Sequence, residues 1–271
     1  PGYAGRGISV AGLKRKKGHK AEDTDLIWGT HPVMELLSSN PAQILELWLQ
    51  KTMARAGDIV ESARRQGVPY RLIENLNEIS PAAVRHQGVM ARIRPFSVMG
   101  LNELIKIIHP RRETAQPLIV VLDSIQDPHN FGAIIRSAAA AGAQGIIFAK
   151  DRAAPLSGTV AKVSVGAVSR VNLCQVNNIS KALKALQEEG FWVFGAAGDG
   201  GQSLYEADFN GPVCIVIGSE DKGIRPLVKE QCDFLIRIPM AGGMESLNAS
   251  AAAAVIMFEV ARRRLSGRGG F

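Results

Sequence analysis

"LIVVLDSIQDPHNFGAIIRSAAAAGAQGIIFA", residues 118–149, reads as strand, turn, helix and strand. Its two apolar runs, 118–122 and 145–149, are continuous rather than alternating, which is the pattern of a strand covered on both faces. Asp127 and Pro128 turn the chain between them, and Gly132 opens a helix that carries Arg136 one turn in. Four more apolar runs follow: "VNLC" (171–174), "FWVFG" (191–195), "VCIVI" (213–217) and "FLIRI" (234–238), each separated from the next by room for a helix. The pattern predicts an α/β fold with a mostly parallel sheet flanked by helices. In such sheets ligands bind beyond the carboxyl ends of the strands, so the residues that follow each run are the ones to read for chemistry.

After the first run come Asn130 and Arg136, both able to face the crevice; a capping asparagine and a solvated arginine are the plainer alternative. After 191–195 comes "AAGDGG", where Gly198, Gly200 and Gly201 permit close backbone approach, although a turn needs glycine too. After 213–217 comes "GSEDKGI". Gly218 and Gly223 have P-loop spacing, but Ile224 and Arg225 stand where a phosphate cradle needs Lys and Ser/Thr, which excludes NTP hydrolysis by that motif. Glu220 is what the loop offers instead.

After 234–238 comes "IPMAGGMESLNASAAAAVIMFE", residues 238–259, in which the chain loosens over Gly242 and Gly243 and then enters an alanine-rich helix. Ser246 and Asn248 stand at the junction, where helix capping alone would account for one of them. Leu247, Ala251, Ala254 and Phe258 repeat in a 4, 3, 4 rhythm, which predicts them as the buried stripe. Four crevice positions thus offer Asn130, Arg136, Glu220, Ser246 and Asn248, with glycines between them.

Upstream, short apolar runs at 45–49, 68–73 and 88–93 alternate with helical patterns near 31–38 and 54–66, a compact α/β unit. The expected division is a disordered basic tail over 1–23, a small domain over 24–95, a linker over 96–117 with one amphipathic helix, a large domain over 118–265 and a flexible tail over 266–271. The net charge of +7 is uneven: residues 1–23 carry six Lys or Arg against two acids and 262–271 carry four Arg against none, which leaves 24–261 at −1. Basic ends on a near-neutral body suit a polyanion such as RNA. Cys174, Cys214 and Cys232 are odd in number and without CxxC spacing, the five histidines are scattered, and neither a disulfide framework nor a metal site is expected. No stretch reads as a membrane span or signal peptide, so a cytoplasmic protein is expected.

Together, "DPHNFGAIIRSA", "VIGSEDKGI" and "IPMAGGMESLN" closely resemble, in order and spacing, the three motifs of the SpoU group of SPOUT RNA ribose methyltransferases. The likeness covers 118–264. Residues 26–95, with "WGTHPVMELL" and "HQGVMARI", resemble the L30e-like substrate-binding domain attached in the bacterial 23S rRNA guanosine 2′-O-methyltransferases. The resemblance implies a sheet whose C-terminal part is threaded into a trefoil knot, S-adenosylmethionine as cofactor (S-adenosylhomocysteine as product), RNA as substrate, a homodimer with the site near the subunit contact, and no metal. It implies cofactor contacts at Gly218, Ile238 and Leu247, with Gly198 and Met240 nearby, and catalytic roles for Asn130, Arg136, Glu220, Ser246 and Asn248. Within these roles Glu220 would hold Arg136 or loop backbone, and Arg136 would act as a charge partner, since deprotonating a guanidinium at neutral pH costs about 8 kcal/mol. Asp221 departs from the family pattern, which usually has glycine there. The alternatives are a non-catalytic RNA-binding protein on the same fold and a tRNA 2′-O-methyltransferase. A dinucleotide-dependent oxidoreductase is disfavoured because no GxGxxG follows residue 122.

Overall fold

The computed structural model describes residues 26–80, 85–108, 116–156, 158–164, 166–244 and 246–266. The tails expected over 1–23 and, apart from Ser266, 266–271 lie outside the described residues.

Two sheets organise the chain. The smaller contains β1 (Leu26–Trp28), β2 (Ile44–Gln50), β3 (Tyr70–Ile73) and β4 (Val89–Ile93) in the order β1-β4-β2-β3. Here β4 runs antiparallel to both neighbours, while β2 and β3 are parallel and joined by a helical crossover. That crossover is α2 (Ala56–Arg65); α1 (Thr30–Ser39) precedes β2. Ile27, Val33, Leu37, Leu47, Ile59 and Val89 fill the core between them. The runs read from the sequence end within two residues of β2, β3 and β4. The three-residue β1 is too short to leave a pattern.

The larger sheet contains β5 (Leu118–Asp123), β6 (Gly145–Ala149), β7 (Asn172–Val176), β8 (Trp192–Ala196), β9 (Gln202–Ser203), β10 (Val213–Gly218) and β11 (Phe234–Arg237), in the order β7-β6-β5-β10-β8-β11-β9. Every pairing in it is parallel. The continuous apolar runs have their explanation in β5, whose residues alternate between two cores. Leu118, Val120 and Leu122 pack into one, and Ile119 and Val121 into the other. The first core holds α4 (Pro128–Ala140) through Phe131 and Ile134, and α8 (Ala249–Ser266) through Ile256 and Met257. The second holds α3 (Leu101–Ile108) through Leu104 and Ile108, and α6 (Ile179–Glu188) through Leu183 and Leu186. Each large side chain so buried contributes about 1.5–3 kcal/mol. Two short helices, α5 (Gly158–Val163) and α7 (Pro226–Lys229), complete the layers.

The helix expected in the linker, α3, is seated on the large sheet: it packs so close that a Cβ on Gly145 would lie 2.8 Å from Leu104 Cδ1. Just before α3, the Met99 N–H donates to the Leu173 carbonyl at 2.9 Å.

The stripe expected on α8 is corrected. Ala249, Ala253, Ile256, Met257 and Val260 turn inward, whereas Leu247, Ala251 and Phe258 are exposed, Phe258 at 49%. The helix is apolar nearly all round, so periodicity alone could not say which face meets the sheet. Near its end the buried Glu259 carboxylate accepts Arg262 Nε (2.8 Å) and Arg263 Nε (2.7 Å); chiefly the Arg262 hydrogen bond holds its pKa down to about 2.

The cysteines are free, and burial, with a smaller contribution from Glu103, pushes the Cys174 thiol up to about 12. No helix of the described residues is long and apolar enough to cross a membrane.

Candidate active site

Parallel strands end on one edge, and the register of β10 on β5, from Val213 beside Leu118 to Gly218 beside Asp123, brings those two ends level. The loops after β5, β8, β10 and β11 therefore meet.

On the first, Asp127 caps α4 by accepting the His129 N–H at 2.9 Å, and Pro128 follows where its missing donor costs nothing. Capping is thus done by Asp127, and Asn130 is left for other work. It is 8% exposed. Its Nδ2 donates to Glu220 Oε1, and its Oδ1 accepts Asn248 Nδ2 at 2.9 Å. Asn248 Oδ1 in turn accepts the N–H groups of Ser250 (3.0 Å) and Ala251 (3.3 Å) and the Ser250 hydroxyl (2.6 Å). Asn248 therefore caps α8 with its oxygen while its amide nitrogen donates to Asn130.

The orientation of both amides is forced. A carboxylate can only accept and a backbone N–H can only donate, so neither asparagine can flip without losing bonds at both ends. Residues 90 and 118 positions away from Asn130 are joined to it directly. Glu220 was expected to hold Arg136 or loop backbone; it engages Asn130 instead. Arg136 is exposed and has no hydrogen-bond or ion-pair partner among the described residues.

Beside this chain of polar groups lies a cavity of about 180 Å³. Gly198, Gly218, Ile238, Met240 and Leu247 all line it, as do Glu220 and the exposed Ser246; Asn130, Arg136 and Asn248 do not. Its inner wall is apolar, built from Ile217, Ile236, Ala249 and Ile256. Glu220 is shared by the cavity and the polar chain.

Two loops frame the cavity. The loop after β10 closes on itself, with the Ser219 N–H donating to the Gly223 carbonyl at 3.1 Å and the Gly223 N–H to the Ser219 carbonyl at 2.9 Å. Gly223 takes φ +62°, and a Cβ on Gly218 would lie 2.1 Å from the Gly223 carbonyl carbon, so both glycines are obligatory. Asp123, fully buried, pins the end of that loop by accepting the Arg225 backbone N–H at 2.8 Å and its Nε at 2.6 Å.

The loop after β8 is held by a backbone turn, the Gly200 N–H donating to the Ala197 carbonyl at 2.9 Å, and by side chains. Lys229 Nζ reaches both Asp199 oxygens, at 2.8 and 2.7 Å, and chiefly this hydrogen bond lowers the Asp199 pKa. Arg237 Nη1 donates to the Gly200 carbonyl at 2.6 Å.

Sequence reasoning missed Asp123, Asp199, Arg225, Lys229 and Arg237. The available signals were an aspartate ending an apolar run and an arginine inside "FLIRI". Among the described residues no three His, Cys, Asp or Glu side chains gather to hold a metal.

The SpoU rRNA Methylase family model matches residues 117–258, and the model for RNA 2′-O ribose methyltransferase substrate binding matches residues 26–99. The chain is 39% identical over 246 residues to the 23S rRNA (guanosine-2′-O-)-methyltransferase RlmB of Shewanella oneidensis, covering 89% of this chain and 98% of that one. It is 40% identical over 240 residues to RlmB of Pseudomonas aeruginosa, covering 88% and 96%. Among solved structures, the AdoMet-bound rRNA methyltransferase from Sinorhizobium meliloti superposes with a TM-score of 0.71 at 25% identity, over 89% of this chain and 87% of that one.

Proposed function

The chain belongs to the SpoU rRNA methylase family, and from that premise we propose that it transfers the methyl group of S-adenosylmethionine to the 2′-hydroxyl of a guanosine in 23S rRNA. One observation carries the assignment of the site: Asn130 is bonded to both Glu220 and Asn248, beside a cavity walled by glycine backbone.

The residues present fit the cofactor. Gly198 and Gly218 expose peptide groups that no side chain shields, the isoleucine wall suits an adenine ring, and Ile238, Met240 and Leu247 close the rim. When bound there, S-adenosylmethionine supplies an electrophilic methyl on a sulfonium, whose sulfur leaves neutral.

The chain's own work is alignment. The Glu220 carboxylate and the cap of α8 fix the Asn130 amide from two sides, so that it stands as a rigid post at the crevice. Ser246 presents its hydroxyl at the cavity rim to orient the ribose. Arg136, left without an internal partner, serves as a cation for substrate phosphate and for charge developing on the ribose oxygen. The hydroxyl proton passes to water as the bond to carbon forms. Asp221 is exposed and does not line the cavity, and the loop closes on itself with aspartate in place. Its presence gives no ground for an inactive protein.

The small sheet unit takes the RNA-holding role, and the protein acts as a cytoplasmic homodimer. Support for the dimer is the face of α8 that the monomer leaves uncovered, with Val255 at 37% and Phe258 at 49% exposure next to Leu247 at the site. The position of β11, late in the chain yet between β8 and β9, supports the trefoil threading.

The test is transfer of labelled methyl from S-adenosylmethionine to 23S rRNA transcripts, with the site mapped. A single guanosine 2′-O-methyl supports the reading, and no label in RNA overturns it. Arg136→Ala is expected to stop transfer while cofactor affinity stays within about twofold, read by calorimetry.

A further inference from the structure

The two units of the chain share a seam on α5. On one side of this helix Val160 and Val163 seat against Gly132 of α4, where an added Cβ would lie 2.7 Å from Val163 Cβ and 2.9 Å from the Val160 carbonyl oxygen. Gly132 stands two residues after Asn130 and four before Arg136. On the other side Ala161, fully buried, belongs to the core of the small sheet with Ile27, Val33 and Leu37. The Lys162 ammonium lies 5.6 Å from the Trp28 ring centroid. Just beyond, Gly166 has φ +77°, and a Cβ there would sit 2.4 Å from Glu35 Cγ, so both the backbone and the seam call for glycine. The Glu35 carboxylate pairs with Arg170. Helix α5 therefore touches the helix that carries Asn130 and Arg136 and, one residue along, the interior of the small unit.

Domains joined by a polar, loosely packed contact move relative to each other by default, and this contact is neither polar at its centre nor loosely packed. We propose that the seam sets the distance between RNA held on the small sheet and the ribose presented at Asn130, so that Ala161, Gly166 and the Glu35–Arg170 pair are positioning residues that decide which nucleotide is methylated. The inference rests on the reading of the small unit as the RNA holder. Its consequence is large because a reacting group misplaced by about 1 Å loses about 100-fold in rate.

Charge reversal tests it on the full-length protein. Glu35→Arg sets like charges together across the seam, as does Arg170→Glu, and the two combined restore an opposite pair. Both residues are solvent-accessible, so the fold tolerates the changes; melting temperature checks this. Each single variant is expected to bind S-adenosylmethionine and a 23S rRNA fragment within about twofold of wild type, to lose several-fold in kcat/KM, and to spread methyls onto neighbouring riboses. The double variant recovers single-site methylation. Ala161→Arg, which drives a charge into the seam, gives the stronger form, about 10–100-fold.

Unchanged kcat/KM and unchanged site selectivity in all three single variants overturn the proposal. Loss in the singles without recovery in the double variant overturns the positioning role of the pair. The underlying reading is separately exposed through Arg71 on β3 and Arg92 on β4, both exposed and both paired with Glu46: if Arg71→Glu and Arg92→Glu leave RNA affinity untouched, the holder assignment fails, whatever the seam variants do.

Discussion

The loops after β8 and β10 both bring glycine backbone to the same cavity, and they are held to different degrees from within and from outside. The β10 loop is fixed from within, by two backbone hydrogen bonds between Ser219 and Gly223 and by the buried Asp123 at its exit. The β8 loop has one internal backbone hydrogen bond, from the Gly200 N–H to the Ala197 carbonyl, and is otherwise tied from outside, by Lys229 on Asp199 and Arg237 on Gly200. A buried, doubly used carboxylate cannot be released without leaving an unpaired charge inside, while an exposed ion pair exchanges readily with water and salt. The arrangement gives the cavity one rigid wall, which also carries Glu220, and one wall that can yield as a ligand enters.

Variants on either side can break that contrast. Asp123→Ala should have the largest effect, about 3–5 kcal/mol of stability in urea unfolding, because Arg225 and a backbone N–H lose their partner together. Gly218→Ala forces a Cβ onto the Gly223 carbonyl, and about 1–3 kcal/mol of strain is expected. With it, S-adenosylmethionine affinity should fall by roughly 100-fold, about 2.7 kcal/mol, in calorimetry. Lys229→Met should leave the melting temperature nearly unchanged and weaken cofactor binding by only about threefold, an effect that 1 M salt reproduces in the wild type.

The smallest effect is on pH. Because Lys229 lowers the Asp199 pKa below its ordinary 3.8, the tie is fully present above 3.8 and is lost only as pH falls through the lowered pKa. Hydrogen exchange at 197–201 should therefore rise on acidification before exchange at 219–223 does. Equal exchange in both loops would erase the distinction.

The rigid half was the more legible in the sequence. Strands β5, β6 and β10 announce themselves as apolar runs because both faces are covered, and Gly218 and Gly223 mark a loop that admits no side chain. The yielding half depends on Lys229 and Arg237, whose partners lie 30 and 37 residues away, and no local spacing encodes such a pairing. The same limit hid Asp123 and Arg225, 102 residues apart. Helix α5 escaped because six residues are too few for a period to show. On α8 the composition was read correctly and the face was not, since exposed Phe258 and buried Met257 are equally apolar to a pattern. Asn248 was legible as a cap, and the structure adds its bond to Asn130, 118 residues away.

The convergence of three motifs on Asn130 is tested most directly by single-turnover methylation of 23S rRNA with Asn130→Ala, alongside its S-adenosylmethionine affinity. The account predicts cofactor binding within about twofold of wild type and a methyl-transfer rate lower by at least about 100-fold, because the ribose loses its fixed neighbour while the cavity keeps its walls. A rate near that of the wild type, with binding intact, would contradict it.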